Sequence, residues 1–134
     1  MSMILLLAMS AAVQLPDYSS FQLSEAEWSR VTSPEYRHCT NDAVSNGDAV
    51  ECIYTEWDRL DRVLNANYRS AMAKMPNRQA RNRLRNAQRV WLRQRDEDCS
   101  VENAGGHTAY ELALHQCEID ELIRRVAWLK RLSR

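Results

Sequence analysis

Apolar residues return at helical spacing along most of the chain. The series Val50, Ile53 or Tyr54, Trp57, Leu60, Leu64, Tyr68 and Met72 or Met75 lines one helix face, and Pro76 stops it. Asp48 followed by Glu51 gives a start signal, so the pattern predicts a long helix over about 48–75. Asn77 can cap a second helix over about 78–98. Thr108 with Glu111 forms a capping box for a third over about 109–131, with the inward stripe Leu112, His115, Ile119, Leu122, Val126 and Leu129. Gly105-Gly106 turns the chain between the last two helices. Upstream, Ser24 with Glu27 caps a short helix over about 25–31, which Thr32-Ser33-Pro34 ends. The stretch 35–47 reads as mostly loop, closing at Asn46-Gly47, and 13–23 as an extended lead-in.

Short connections make consecutive helices antiparallel neighbours. The expected fold is therefore all-α: an antiparallel three-helix up-down-up bundle with an N-terminal arm and short helix, held by two disulfides. Gly and Pro are scarce while Ala, Leu, Arg, Glu and Gln abound, which suits helices, and 134 residues suit one small domain. The expected division is an export signal over 1–12, the arm over 13–38 and the helical domain over 39–134.

The second helix breaks the apolar rule. Leu84, Gln88, Trp91, Arg95 and Cys99 share its inward face, so an amide and a guanidinium sit between a leucine and a tryptophan. The first helix offers Asp61 and Asn65 in phase with Trp57 and Leu64, and the third offers Arg124 or Arg125. A buried arginine requires a carboxylate, because an unpaired buried charge is strongly destabilising. Asp61–Arg95 is the preferred pair, with Asp58 and Asp96 as alternates, and Asn65 is expected to face Gln88. This network is either structural or a polar pocket that recognises a ligand.

Cys39, Cys52, Cys99 and Cys117 read as two disulfides in a small exported chain. Three pairings are possible. Cys39–Cys52 with Cys99–Cys117 is favoured because each closes a short local loop, worth about 3 kcal/mol in the chain-entropy view. The apolar run Ile4 to Val13 is too short to span a bilayer and resembles a secretory signal, with cleavage after Ala12. No Lys or Arg precedes it; the competing reading, a buried N-terminal helix, lacks a polar face. No lipobox cysteine follows, so the expectation is a soluble secreted or periplasmic protein without stable membrane insertion.

Charge balances at 18 basic and 18 acidic residues, which argues against broad nucleic-acid binding. Its distribution is uneven. Arg78, Arg81, Arg83, Arg85, Arg89, Arg93 and Arg95 follow one another with no intervening acid or lysine. Such a run is either a solvated face or a docking surface for an acidic partner. No nucleophile, base and orienting group assemble, so no enzyme activity, catalytic residue or cofactor is expected. His38, His107 and His115 are scattered and no Cys-x-x-Cys exists, so no metal site is expected either.

The order Cys52, Asp61-x-x-Leu64-Asn65-x-x-Tyr68, Leu84-x-x-Ala87-Gln88-Arg89-x-Trp91-Leu92-x-x-Arg95-Asp96-x-x-Cys99, Cys117 and Arg125-x-x-x-Leu129 resembles the LprI-like lysozyme inhibitor domain family. The similarity runs over about 39–131. It implies a small exported, disulfide-bonded helical domain in which Asn65, Tyr68, Gln88, Trp91, Arg95 and Arg125 match motif positions. It also implies a protein partner, lysozyme, and a binding role in the bacterial envelope. An inhibitor of a basic enzyme gains association rate from an acidic face. Asp96, Glu97, Asp98 and Glu102, with Glu118, Asp120 and Glu121, gather near the second turn and form the expected docking end. The alternative is an accessory envelope protein that binds an acidic partner through Arg81, Arg85 and Arg89.

Overall fold

Local capping chemistry sets the helix boundaries. A computed structural model describes residues 14–100 and 107–134. It contains α1 (Glu25–Val31), α2 (Pro34–Asp42), α3 (Asn46–Lys74), α4 (Arg78–Asp98) and α5 (His107–Leu132), with no strand among the described residues. The Ser24–Glu27 capping box opens α1. Asn77 Oδ1 accepts the Ala80 N–H at 2.8 Å and opens α4 over the expected span. Glu102, the Gly105-Gly106 turn, the Thr108 cap and the signal over 1–12 lie outside the described residues or side chains.

Two boundaries differ from expectation. The stretch 35–47 is not mostly loop, because α2 occupies Pro34–Asp42. Ser33 Oγ accepts the Tyr36 N–H at 3.0 Å and Pro34 takes the first helical position, where a missing N–H costs nothing. The Ser-Pro pair that ends one helix thus begins the next. The first long helix starts at Asn46 rather than about 48. Ser45 is its cap and accepts the Asp48 N–H at 3.1 Å.

Side-chain contacts give the helix directions. Tyr54 OH lies 3.1 Å from His115 Nε2, and Asn67 Nδ2 donates to the Val126 carbonyl at 3.2 Å, so partners advance together along α3 and α5. Between α4 and α5 they advance oppositely, through Cys99–Cys117, Trp91–Glu121 and Gln88–Arg125. The Arg95 guanidinium lies over the Trp57 ring, and both residues are equally far along the chain from Pro76. Leu60, Leu84, Ile119, Leu122 and Leu129 are fully buried between these helices. Each contributes about 1.5–3 kcal/mol by leaving water.

The N-terminal helices are fastened by carboxylates. Glu56, buried on α3, accepts the Ser33 N–H at 2.7 Å and Arg59 Nε at 2.7 Å. Burial pushes its carboxyl up, but the Arg59 and Ser33 bonds outweigh that and hold it below the ordinary value. Glu27 accepts Arg131 Nη2 at 2.5 Å and Nε at 3.0 Å, joining α1 to α5. The bridge Cys39–Cys52 ties α2 to α3.

Candidate functional site

The polar cluster expected between the helices exists with a different membership. Glu121 on α5 is its hub. Glu121 Oε2 accepts the Tyr18 hydroxyl at 3.0 Å and Trp91 Nε1 at 3.2 Å, while Oε1 accepts Arg124 Nη1 at 3.2 Å. Arg124 also donates to the carbonyls of Tyr18, at 2.6 Å, and Phe21, at 2.9 Å. These bonds fasten the residues before α1 onto α5. Burial and the facing Glu121 charge push the Tyr18 phenol above its ordinary value, so it stays a donor at neutral pH.

Arg125 is the buried arginine of the pair left open above. Its Nε donates to Gln88 Oε1 at 2.9 Å. Its guanidinium lies 4.2 Å from the Trp128 ring centroid, 4.6 Å from Tyr18 and 5.4 Å from Trp91. Burial pushes its pKa down to about 10, which leaves it charged at pH 7.

Asp61 and Asn65 do not join this cluster; both are exposed. The buried centre of α3 runs through Ile53, Leu60, Leu64 and Ala71. Trp57 and Tyr68 are half-buried and mark the edge of that stripe, so residues in phase with Trp57 fall on its solvent side. The Asp61–Arg95 pair is therefore absent, and Arg95 takes its alternate, Asp96, at 3.3 Å. Gln88 faces Arg125 rather than Asn65. Trp91 is buried, and Arg95 lies mostly covered between the Trp57 and Trp91 rings, at 5.4 and 5.3 Å. Tyr18 and Glu121 carry the cluster yet have no local sequence signal. The nearest hint is the Tyr18 and Phe21 aromatic pair in the lead-in.

Charge is segregated by the ends of the long helices. From 107 to 121 the chain carries Glu111, Glu118, Asp120 and Glu121 with no Lys or Arg; from 122 to 134 it carries Arg124, Arg125, Lys130, Arg131 and Arg134 with no acid. On α4 the order is inverted, from Arg78, Arg81, Arg83, Arg85, Arg89, Arg93 and Arg95 to Asp96, Glu97 and Asp98. Because α4 runs opposite to α5, its acids fall beside those of α5. Acids at a helix start and bases at its end suit the helix dipole, as in α5. In α4 the arginines of the first turn and the acids of the last oppose the dipole, at about 0.3–1 kcal/mol each, while Arg95 in the last turn suits it. Helix stability therefore does not account for the order of charge in α4. Asp96, Glu97 and Asp98 are exposed, as are Arg81, Arg85 and Arg89.

Among the described residues no helix is long and apolar enough to cross a membrane, and no His, Cys, Asp and Glu cluster could hold a metal ion. Comparisons with curated proteins and with solved structures return no match. A family model described as lysozyme inhibitor LprI matches residues 39–129, from the first bridge cysteine to the last core leucine. The match contains both disulfides and the whole of α4, and the chain belongs to the lysozyme inhibitor LprI family.

Proposed function

We propose that this protein inhibits lysozyme outside the cytoplasm, by docking its acidic end on a basic enzyme. The observation that carries the reading is the inverted charge order of α4, which works against its own helix dipole. The family description supplies the partner class. Two disulfides suit an oxidising compartment, and residues 1–12 act in this reading as an export signal. The docking end comprises Asp96, Glu97 and Asp98, together with Glu102, which lies outside the described residues. An acidic surface of this kind raises association rate more than it deepens affinity.

The second reading places an acidic partner on the arginine face. It draws on Arg81, Arg85 and Arg89, which are exposed on successive turns of α4. Inhibition of a basic lysozyme by the oxidised mature protein separates the two readings. The first expects inhibition that persists in Arg81→Glu/Arg85→Glu/Arg89→Glu. Absence of inhibition by the wild type refutes it, and salt-sensitive capture of an acidic partner that is lost in the arginine variant selects the second.

A further inference from the structure

Three buried side-chain donors have no partner among the described residues: Arg95 Nε, Arg125 Nη2 and Trp128 Nε1. No buried side-chain acceptor is left over among those residues. All three donors belong to side chains that line one groove of about 490 Å³, walled by Leu15–Ser19, α4 and α5. Buried polar groups in folded proteins find partners, and an unpaired donor loses its hydration without return. One orphan is unremarkable; three donors on a single groove mark a place for acceptor atoms.

The acids already there are committed. Glu121 accepts from Tyr18, Trp91 and Arg124, Asp17 accepts from Ser19, and Asp98 is engaged as well. The cations are less well served. Arg125, 1% exposed, has Gln88 as its hydrogen-bond acceptor and no ion pair among the described residues. Among the described residues Arg95 pairs with the exposed Asp96, at 3.3 Å. Both guanidiniums lie near the Trp91 ring, at 5.3 and 5.4 Å from its centroid.

We propose that this groove binds a small carboxylate, whose two oxygens take the free N–H groups of Arg125 and Trp128 while Arg95 closes the outer side. A planar pair of acceptors matches a guanidinium fork. A neutral acceptor leaves the cations unanswered, and a doubly charged phosphate meets more repulsion from Glu121 and Asp98. A groove of this volume admits more than the carboxylate itself, so the group is carried on a sugar or on an amino acid.

Calorimetric titration of the oxidised mature protein with glucuronate and with N-acetylglutamate tests this, with glucose and N-acetylglutaminamide, which have no carboxylate, as neutral counterparts. Saturable binding of either acid, and not of its neutral counterpart, is expected, and the acid that binds identifies the carrier. Trp128→Phe keeps an aromatic ring and deletes the Nε1 donor together with part of the indole. It is expected to weaken binding about tenfold, the worth of one hydrogen bond. Arg95→Met is expected to weaken binding as well. Equal binding of the neutral compounds, no saturation by either acid up to about 50 mM, or wild-type affinity in Trp128→Phe overturns the proposal. No lysozyme enters this experiment, so its outcome is independent of the inhibitor reading.

Discussion

Arg125 on α5 donates its Nε to Gln88 Oε1 on α4 at 2.9 Å, a neutral acceptor for a buried cation. Three aromatic rings supply the remaining contacts. This arrangement orders the effects of two substitutions. Gln88→Leu leaves the buried guanidinium without its acceptor and is expected to cost about 2–3 kcal/mol. Arg125→Met removes the charge together with its need for a partner and is expected to cost less. Urea denaturation at neutral pH checks the order, and a larger loss in Arg125→Met contradicts it.

The Glu27–Arg131 pair predicts acid sensitivity. The Arg131 bond, helped by Ser24 and opposed by burial, lowers the Glu27 carboxyl from 4.5 to about 2. A carboxylate lowered on folding stabilises the fold above its unfolded value, and that stability disappears as pH falls through the folded value. The contribution is therefore complete above pH 4.5 and lost on approach to pH 2. Glu27→Gln is expected to melt lower than wild type at neutral pH and to converge with it in acid. A constant difference in melting temperature across that window counts against the pair.

The bridges close loops of similar length, with sequence separations of 13 and 18. Each constrains the unfolded chain by about 3 kcal/mol, a large share of a small domain's stability. Cys99→Ala/Cys117→Ala and Cys39→Ala/Cys52→Ala are expected to lose comparable stability in denaturant. Intact mass is expected to rise on reduction by two hydrogens per bridge. A mass that does not change on reduction means free thiols and excludes the bridged fold.

The long helices were legible because their signals are local. Asn77 needs only Ala80, three residues on, to open α4. The short loops closed by the cysteines likewise favoured the pairing that the structure contains. The polar cluster was only half legible. Gln88 and Trp91 announce themselves as polar or aromatic members of an inward stripe, and Arg125 as one of two candidates on the third helix. Their partners do not, since Tyr18 meets Glu121 across 103 positions, a relation that no helical period encodes. Asp61 misleads because a stripe holding one half-buried tryptophan has an uncertain centre, and a shift of one position exposes the next turn. Glu56 is a buried acid whose reason, the Ser33 cap of a different helix, exists only in three dimensions.

Glu97 separates the demands of stability from those of binding. It is exposed at the C-terminal end of α4, where a negative charge opposes the helix dipole. Glu97→Lys is expected to stabilise the protein by about 0.3–1 kcal/mol at low salt. A lower melting temperature in this variant contradicts the dipole argument.

If the acidic end docks on a basic lysozyme, as proposed, association is steered by charge, and its rate depends on salt. The rate constant for binding of a basic lysozyme is to be measured across ionic strengths for wild type and Glu97→Lys. The prediction is a wild-type rate that falls as salt rises, together with slower association and a weaker salt dependence in the more stable variant. A wild-type rate indifferent to salt, or an unchanged rate in Glu97→Lys, contradicts the claim.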